Sequence, residues 1–393
     1  MADKKKILIV IHQLNIGGAQ KALISALNAI DYQLNDVTLY VRKKRLDLLP
    51  QVNKKVSRII INDDETNYYH KPYAIYLLLR QWLNKLVGKE DKIYRDKLRN
   101  FIIDSQLKYE KERFFSDGVV YDVAISYIQG YHAILVAKYI SAKRKVLFYH
   151  ASTDEEHKIH ESIMGDFSEI FCVSLKAQQE VRRFYPQYSD KIHCLENIVN
   201  VQIIKEKADE RPINRKGGQV VLCSCGRLAA VKGFDLAVEA AHMLEQKGLD
   251  FLWYFVGDGP ERGKLEQSIA SYGLQDRIVM SGMQENPYPY IKNCDIYVQP
   301  SYDEAQGLSI IEAQVLCRPV VSTNTAGGKS LIKDGENGVL TSIDASSLVE
   351  GIEKLANDLK MKKKIEISLK LIDYSEKEKD FKEKWARMLG RSI

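Results

Sequence analysis

The chain has 393 residues, of which 45% are hydrophobic and 28% charged, the balance of a globular protein and too long for one ordinary core, so two domains are expected. No run approaches the ~20 apolar residues of a membrane helix, which sets a spanning protein aside. Net charge is +6, but Lys and Arg outnumber Asp and Glu 31 to 24 up to Asn200, so the first part carries +7 and the rest −1; the first part is the expected partner of something anionic, and without a nucleic-acid motif that partner is not nucleic acid.

The N-terminus, Met1-Ala2-Asp3-Lys4-Lys5-Lys6, has the charge of a signal peptide, but the apolar run Ile7–Ile11 is too short for one. It reads as a strand of a cytoplasmic protein. The six cysteines, Cys172, Cys194, Cys223, Cys225, Cys294 and Cys317, include no Cys-x-x-Cys pair, so buried thiols in a reducing compartment are expected and a zinc site is not.

Lys6–Ile11 runs into Gly17-Gly18 and then a helical pattern, Ala22, Leu23, Ala26, Leu27 and Ile30. Strand, glycine turn and helix open a doubly wound α/β domain, whose ligands gather at the carboxyl ends of the strands. The turn is not a Gly-x-Gly-x-x-Gly fingerprint, so dinucleotide binding is not supported. Val37–Tyr40 and Ser57–Ile61 continue the strands. Residues 64–117 then break the alternation: Tyr73, Tyr76, Leu79, Leu83 and Leu86 recur at helical spacing among Arg80, Lys85, Lys89, Lys92, Arg95, Lys97 and Arg99. Such an aromatic, basic segment over Tyr73–Arg99 suits either an anionic membrane surface or a plain helical hairpin with a solvated face. Tyr121–Ser126 and Lys145–Tyr149 are further strands, the second placing His150 just past its carboxyl end. His157 and His160 lack the spacing of a metal pair and read as a solvated helix.

A polar stretch over 201–218 reads as a linker. Gln219–Cys225 opens the second domain and leads to Gly226-Arg227, Lys232-Gly233 and a helix from Phe234. Two cations five residues apart on a strand-to-helix loop can bracket a diphosphate, Arg as a planar fork and Lys as a point charge. Strands follow at Phe251–Val256, Arg277–Ser281 and Asp295–Gln299. The last is stopped by Pro300 and followed by Tyr302-Asp303-Glu304-Ala305-Gln306-Gly307-Leu308-Ser309-Ile310-Ile311-Glu312. Gly307 lets backbone approach a ligand closely. The N–H groups opening the next helix suit a phosphate, and a carboxylate on each side can accept from sugar hydroxyls. The same residues also read as a capping box, Ser309 at the N-cap and Glu312 three residues on.

Glutamate, seven residues and glutamate, with glycine before the helix, resembles the signature of retaining glycosyltransferases of family 4, which have the GT-B fold. The resemblance extends to Gly226-Arg227 and Lys232-Gly233, covers nearly all of the second domain, and is fainter in the first. It implies two Rossmann-like domains facing a cleft: 1–200 for the acceptor, 201–218 as linker, 219–375 for the donor, and a C-terminal helix, 376–393, crossing back. It implies that Glu304 and His150 orient the donor sugar and that Glu312 holds the ribose. Arg227, Lys232 and the backbone of Gly307, Leu308 and Ser309 would hold the diphosphate, with Met283 and Gln284 beside the base and Gly17 and Gly18 facing the cleft. Ala305 stands where the family usually has glycine, which touches donor-sugar geometry.

The expected activity is transfer of a hexosyl unit from a nucleoside diphosphate sugar, UDP by family frequency, to a hydroxyl of a glycan or lipid-linked acceptor in bacterial surface polysaccharide synthesis. Retention is expected without a covalent intermediate. With no Asp-x-Asp in a strand-end loop and two cations on the diphosphate, no metal and no further cofactor are expected. A sugar-nucleotide epimerase of the same fold, or a non-catalytic partner subunit, are the alternative readings.

Overall fold

The structure is a computed structural model in which residues 3–63, 82, 92–150, 161–210 and 218–390 are described. It divides into two compact units. The first comprises Met1–Asn15, Leu27–Leu195 and Trp385–Ile393; the second comprises Ile16–Ala26 and Glu196–Lys384.

The first unit is built on seven strands: β1 (Lys5–Ile11), β2 (Asn35–Val41), β3 (Arg58–Ile61), β4 (Tyr121–Ser126), β5 (Ala142–Tyr149), β6 (Glu169–Cys172) and β7 (Ile192–Cys194). They pair in parallel in the order β3-β2-β1-β4-β5-β6-β7. Ile7 to Ile11 are all fully buried, which is why β1 is an unbroken apolar run: a central parallel strand is covered on both faces. Tyr127 and Phe148 stack at 5.0 Å, and Trp385, near the end of helix Ser375–Met388, closes on Phe148 at 5.7 Å. The helix Lys92–Phe114 ends the 64–117 segment. Its Glu110 is fully buried and accepts from Arg42 Nε at 2.8 Å, Tyr40 at 2.9 Å and Gln106 at 2.9 Å, so the buried charge is paired. Apart from Trp82, residues 64–91 of the basic aromatic segment lie outside the described residues, as do His157 and His160.

The second unit carries β8 (Val220–Cys225), β9 (Phe251–Val256), β10 (Ile278–Gly282), β11 (Ile296–Gln299), β12 (Val320–Thr323) and β13 (Val339–Thr341), parallel in the order β10-β9-β8-β11-β12-β13. Val339–Thr341 was not anticipated as a strand, being only three residues behind a turn. The stretch expected as a linker opens with a helix, Val201–Lys207. Its polar composition hides one apolar face: Ile204 and Ala208 are buried among Val221, Tyr297 and Ile310, and Asn200 caps the helix by accepting from the Ile203 N–H at 2.9 Å. Residues 211–217 lie outside the described residues. The six cysteines are free thiols, and no helix of the described residues is long and apolar enough to cross a membrane.

In both sheets the strand succession reverses once, between β1 and β4 and between β8 and β11. Ligands of open α/β sheets bind just beyond the carboxyl ends of strands at such a reversal.

Candidate active site

At the β8/β11 reversal two loops are locked together. The loop after β8 makes a single tight turn, Ala230–Lys232, and Gly233 follows in the left-handed region at φ 65°. A Cβ there would lie 2.0 Å from the Pro300 carbonyl oxygen, a clash of backbone with side chain that only glycine avoids. The Tyr302 N–H donates to the Val231 carbonyl at 2.9 Å, and the Tyr302 hydroxyl to Asp235 at 2.9 Å. This register brings Lys232 Nζ to 2.6 Å from Glu304 Oε2. The basic motif and the first glutamate, 72 residues apart in sequence, meet as an ion pair.

Gln299, the last residue of β11, was not singled out from the sequence. It is 3% exposed, and its amide joins four side chains. Oε1 accepts from Tyr297 at 3.1 Å and from Ser309 at 2.9 Å, while Nε2 donates to Ser301 at 2.8 Å and to Glu304 Oε2 at 3.3 Å. Glu304 is thus held through Oε2 by a cation and an amide. Its Oε1 has no partner among the described residues and remains an acceptor for a hydroxyl. Only a strand-final polar residue amid apolar ones could have signalled Gln299, and that pattern is common at strand ends.

The helix that follows spans Leu308–Val315, and its N-cap is Gly307 at φ 74°, not Ser309. The capping-box reading therefore fails: the left-handed glycine starts the helix two residues earlier, and the Ser309 hydroxyl points to Gln299 instead of capping. The N–H groups of Leu308 and Ser309 now head the helix, as a phosphate site requires.

Glu312, 4% exposed, is free of the cap and meets other partners. Lys21 Nζ donates to its Oε1 at 2.9 Å, and the Tyr288 hydroxyl at 3.3 Å. Burial works against the Lys21 ammonium, but the carboxylate outweighs it and holds the pKa above the ordinary lysine value. Glu312 Oε2 has no partner among the described residues. Lys21 follows the glycine turn, and a Cβ on Gly18 would sit 3.6 Å from Leu308, so Gly17 and Gly18 lie beside the helix start. Lys21 and Tyr288 were not anticipated; their signal is spatial, not sequential.

Arg227 is exposed and makes no ion pair among the described residues, so its guanidinium is available to an anion. Met283 is 47% exposed, and the Gln284 side chain donates to the Ser281 carbonyl at 2.7 Å. Both follow β10 at the sheet edge, and no described hydrogen bond joins them to the Glu304 cluster.

His150, expected beside the donor sugar, belongs to the first unit. Its Nε2 lies 2.8 Å from the Tyr127 carbonyl, which can only accept, so Nε2 carries the proton and is engaged. Burial lowers its pKa to about 4, although the carbonyl pulls the other way. The ring is held neutral, and Nδ1, with no partner among the described residues, is an acceptor.

Two doubly wound parallel sheets, each with one reversal, make the GT-B fold. Residues 205–371 match the family model described as glycosyl transferases group 1. An alpha-D-kanosaminyltransferase of Streptomyces kanamyceticus is 26% identical over 204 residues, 50% of this chain and 53% of the relative. The lipopolysaccharide core biosynthesis glycosyltransferase LpsE of Rhizobium meliloti is 32% identical over 151 residues, 38% of this chain and 43% of that protein. The chain thus spans about half, or less, of these relatives' lengths. Among solved structures, Anabaena HepE in complex with UDP and glucose has a TM-score of 0.72 at 17% identity, covering 98% of this chain and 99% of that one. A Staphylococcus aureus TarM complex with fondaparinux, alpha-GlcNAc-glycerol and UDP has a TM-score of 0.71 at 13% identity, covering 98% and 100%. These likenesses establish the shared fold.

Proposed function

We propose that the protein transfers a hexosyl unit from a UDP-sugar to a hydroxyl of a glycan or lipid-linked acceptor, with retention of anomeric configuration. The observation that carries this reading is the Lys232–Glu304 pair, which sets a phosphate-directed cation and a sugar-directed carboxylate side by side at the second sheet's reversal. The UDP and glucose complexes of a protein with this fold support the donor class.

In this reading Arg227, Lys232 and the N–H groups at Leu308 and Ser309 bind the diphosphate and stabilise the charge it gains. Glu304 Oε1 accepts from a sugar hydroxyl and Glu312 Oε2 from a ribose hydroxyl. The bond between the anomeric carbon and the β-phosphate oxygen breaks as the acceptor oxygen bonds to the same face of that carbon, and the acceptor's proton passes to the leaving phosphate oxygen. The diphosphate charge is met by protein cations, so turnover is expected to survive chelation of divalent metal. A role in bacterial surface polysaccharide synthesis, a cytoplasmic location and contact of Tyr73–Arg99 with anionic membrane belong to the same reading. Co-sedimentation of the chain with anionic vesicles, with and without that segment, tests the last.

The deciding experiment is calorimetry and thermal shift against UDP, GDP and ADP, with and without EDTA, followed by turnover of the matching sugar nucleotides. UDP at a hundredfold excess over its dissociation constant stabilises the fold by about 2.7 kcal/mol. No shift with any of the three overturns the reading. Loss of UDP-sugar without any acceptor would point to the epimerase alternative.

A further inference from the structure

The first unit has a reversal of its own, between β1 and β4, and no part of the donor reading uses it. β1 leaves His12 at this point, and the helix turn after β4 supplies His132, which is 5% exposed; the two rings stack across the reversal at 5.8 Å with 28° between planes. On the β2 side, Arg42-Lys43-Lys44-Arg45 follows the strand directly. This basic loop is a built element. The Arg42 N–H donates to the Ile11 carbonyl at 3.0 Å, the Lys43 N–H to the His12 carbonyl at 2.8 Å, and the Leu14 N–H to the Arg45 carbonyl at 2.7 Å. The loop therefore lies along the segment that follows β1.

The four cations are not equivalent. Arg42 is buried and spent on Glu110. Lys43, Lys44 and Arg45 are exposed and make no ion pair among the described residues, and Asp47 is the one acid between Arg42 and Leu48. Burial first, then the charges of Arg42, Lys43 and Arg45, lower the His12 pKa to about 4, with Glu110 pulling the other way. A neutral imidazole beside Lys43 and Arg45, which have no ion-pair partner among the described residues, is a site that an anion would complete.

We propose that Lys43 and Arg45, on the loop bonded along His12 at the β1/β4 reversal, bind an anionic group of the acceptor, a phosphate or diphosphate. This rests on the transferase reading for the word acceptor, but the site itself stands on the first unit alone. Arg45 can take two oxygens as a fork and Lys43 adds a point charge.

The test uses the full chain saturated with UDP, which occupies the donor site, and inorganic pyrophosphate as the probe, with the histidine ring resonances followed by NMR. Pyrophosphate is expected to raise the His12 pKa, since a nearby anion favours the imidazolium. In a Lys43→Glu/Arg45→Glu variant, whose changes are on exposed side chains, binding is expected to weaken at least about tenfold and the His12 shift to disappear. An Arg227→Ala/Lys232→Ala variant should lose UDP yet keep the His12 response, so failure of the donor reading is told apart from failure of this one. A wild-type His12 titration indifferent to pyrophosphate, or a charge-reversed variant that binds it as wild type does, overturns the proposal. So does a response confined to phosphatidylglycerol vesicles, which would assign the loop to a membrane surface instead.

Discussion

Lys232 and Glu304, 72 residues apart, form an ion pair of 2.6 Å between the loop after β8 and the loop after β11. The pair gives each partner a second task. Lys232 fixes Glu304 Oε2 and leaves Oε1 without a partner among the described residues, while Glu304 holds in place a cation that a diphosphate would otherwise have to order. Replacing either by alanine should lower kcat by about 10²–10³, the size of losing a group that meets developing charge. Circular dichroism should be unchanged, because both side chains come from loops and neither belongs to the apolar core of the second unit. Rates like those of the unaltered protein in either variant would remove these residues from the site.

Gln299→Glu should separate positioning from binding. The change keeps the shape but removes the amide donor to Ser301 and Glu304, and puts a second carboxylate 3.3 Å from Glu304 Oε2. UDP affinity should hold within about threefold, since Gln299 is not among the residues proposed to hold the diphosphate, whereas kcat should fall about tenfold or more. Equal losses in both quantities would show Gln299 to be structural only.

Glu312→Ala strands the Lys21 ammonium, and loss of one partner of a buried pair costs about 3 kcal/mol of stability. Glu312→Gln keeps a hydrogen-bond acceptor for Lys21 and should cost less, yet both should weaken UDP binding. Urea midpoints alongside UDP calorimetry check this: weakened folding with intact UDP affinity would confine Glu312 to structure.

Gly233→Ala should be among the most damaging single changes in the second unit. The added methyl would meet the Pro300 carbonyl at 2.0 Å, at a φ that alanine resists. A loss of about 2–4 kcal/mol, with the Lys232 loop displaced, is expected from the thermal midpoint.

His150 makes stability depend on pH. Its folded pKa, about 4, lies below the ordinary 6.5, so the unfolded chain takes up a proton that the folded one refuses. The His150 contribution is therefore fully present above pH 6.5 and is lost as pH falls toward 4. His12, also lowered to about 4, acts in the same direction. His150→Gln, which can still donate to the Tyr127 carbonyl, should flatten the fall in urea midpoint between pH 7 and pH 5. An unchanged slope would mean that the ring is not held neutral.

Much of this was written in the order of residues. The apolar runs of β1, β5, β8, β9 and β11 announced buried parallel strands, because a central strand covered on both faces has no polar side to show. Gly226-Arg227, Lys232-Gly233 and the Glu304-to-Glu312 spacing announced the donor loops, because a strand-to-helix turn that faces an anion needs those residue types close together in the chain. Tertiary structure alone decided how they are used. Whether Ser309 caps its helix or bonds Gln299 depended on Gly307 entering the left-handed region first. Whether His150 donates depended on a carbonyl 23 residues earlier, at Tyr127. Lys21, Tyr288, Gln299 and the His12–His132 stack could not be read from the chain at all, since each owes its part to a partner that parallel crossovers bring from a distant stretch, and spacing carries no record of that meeting.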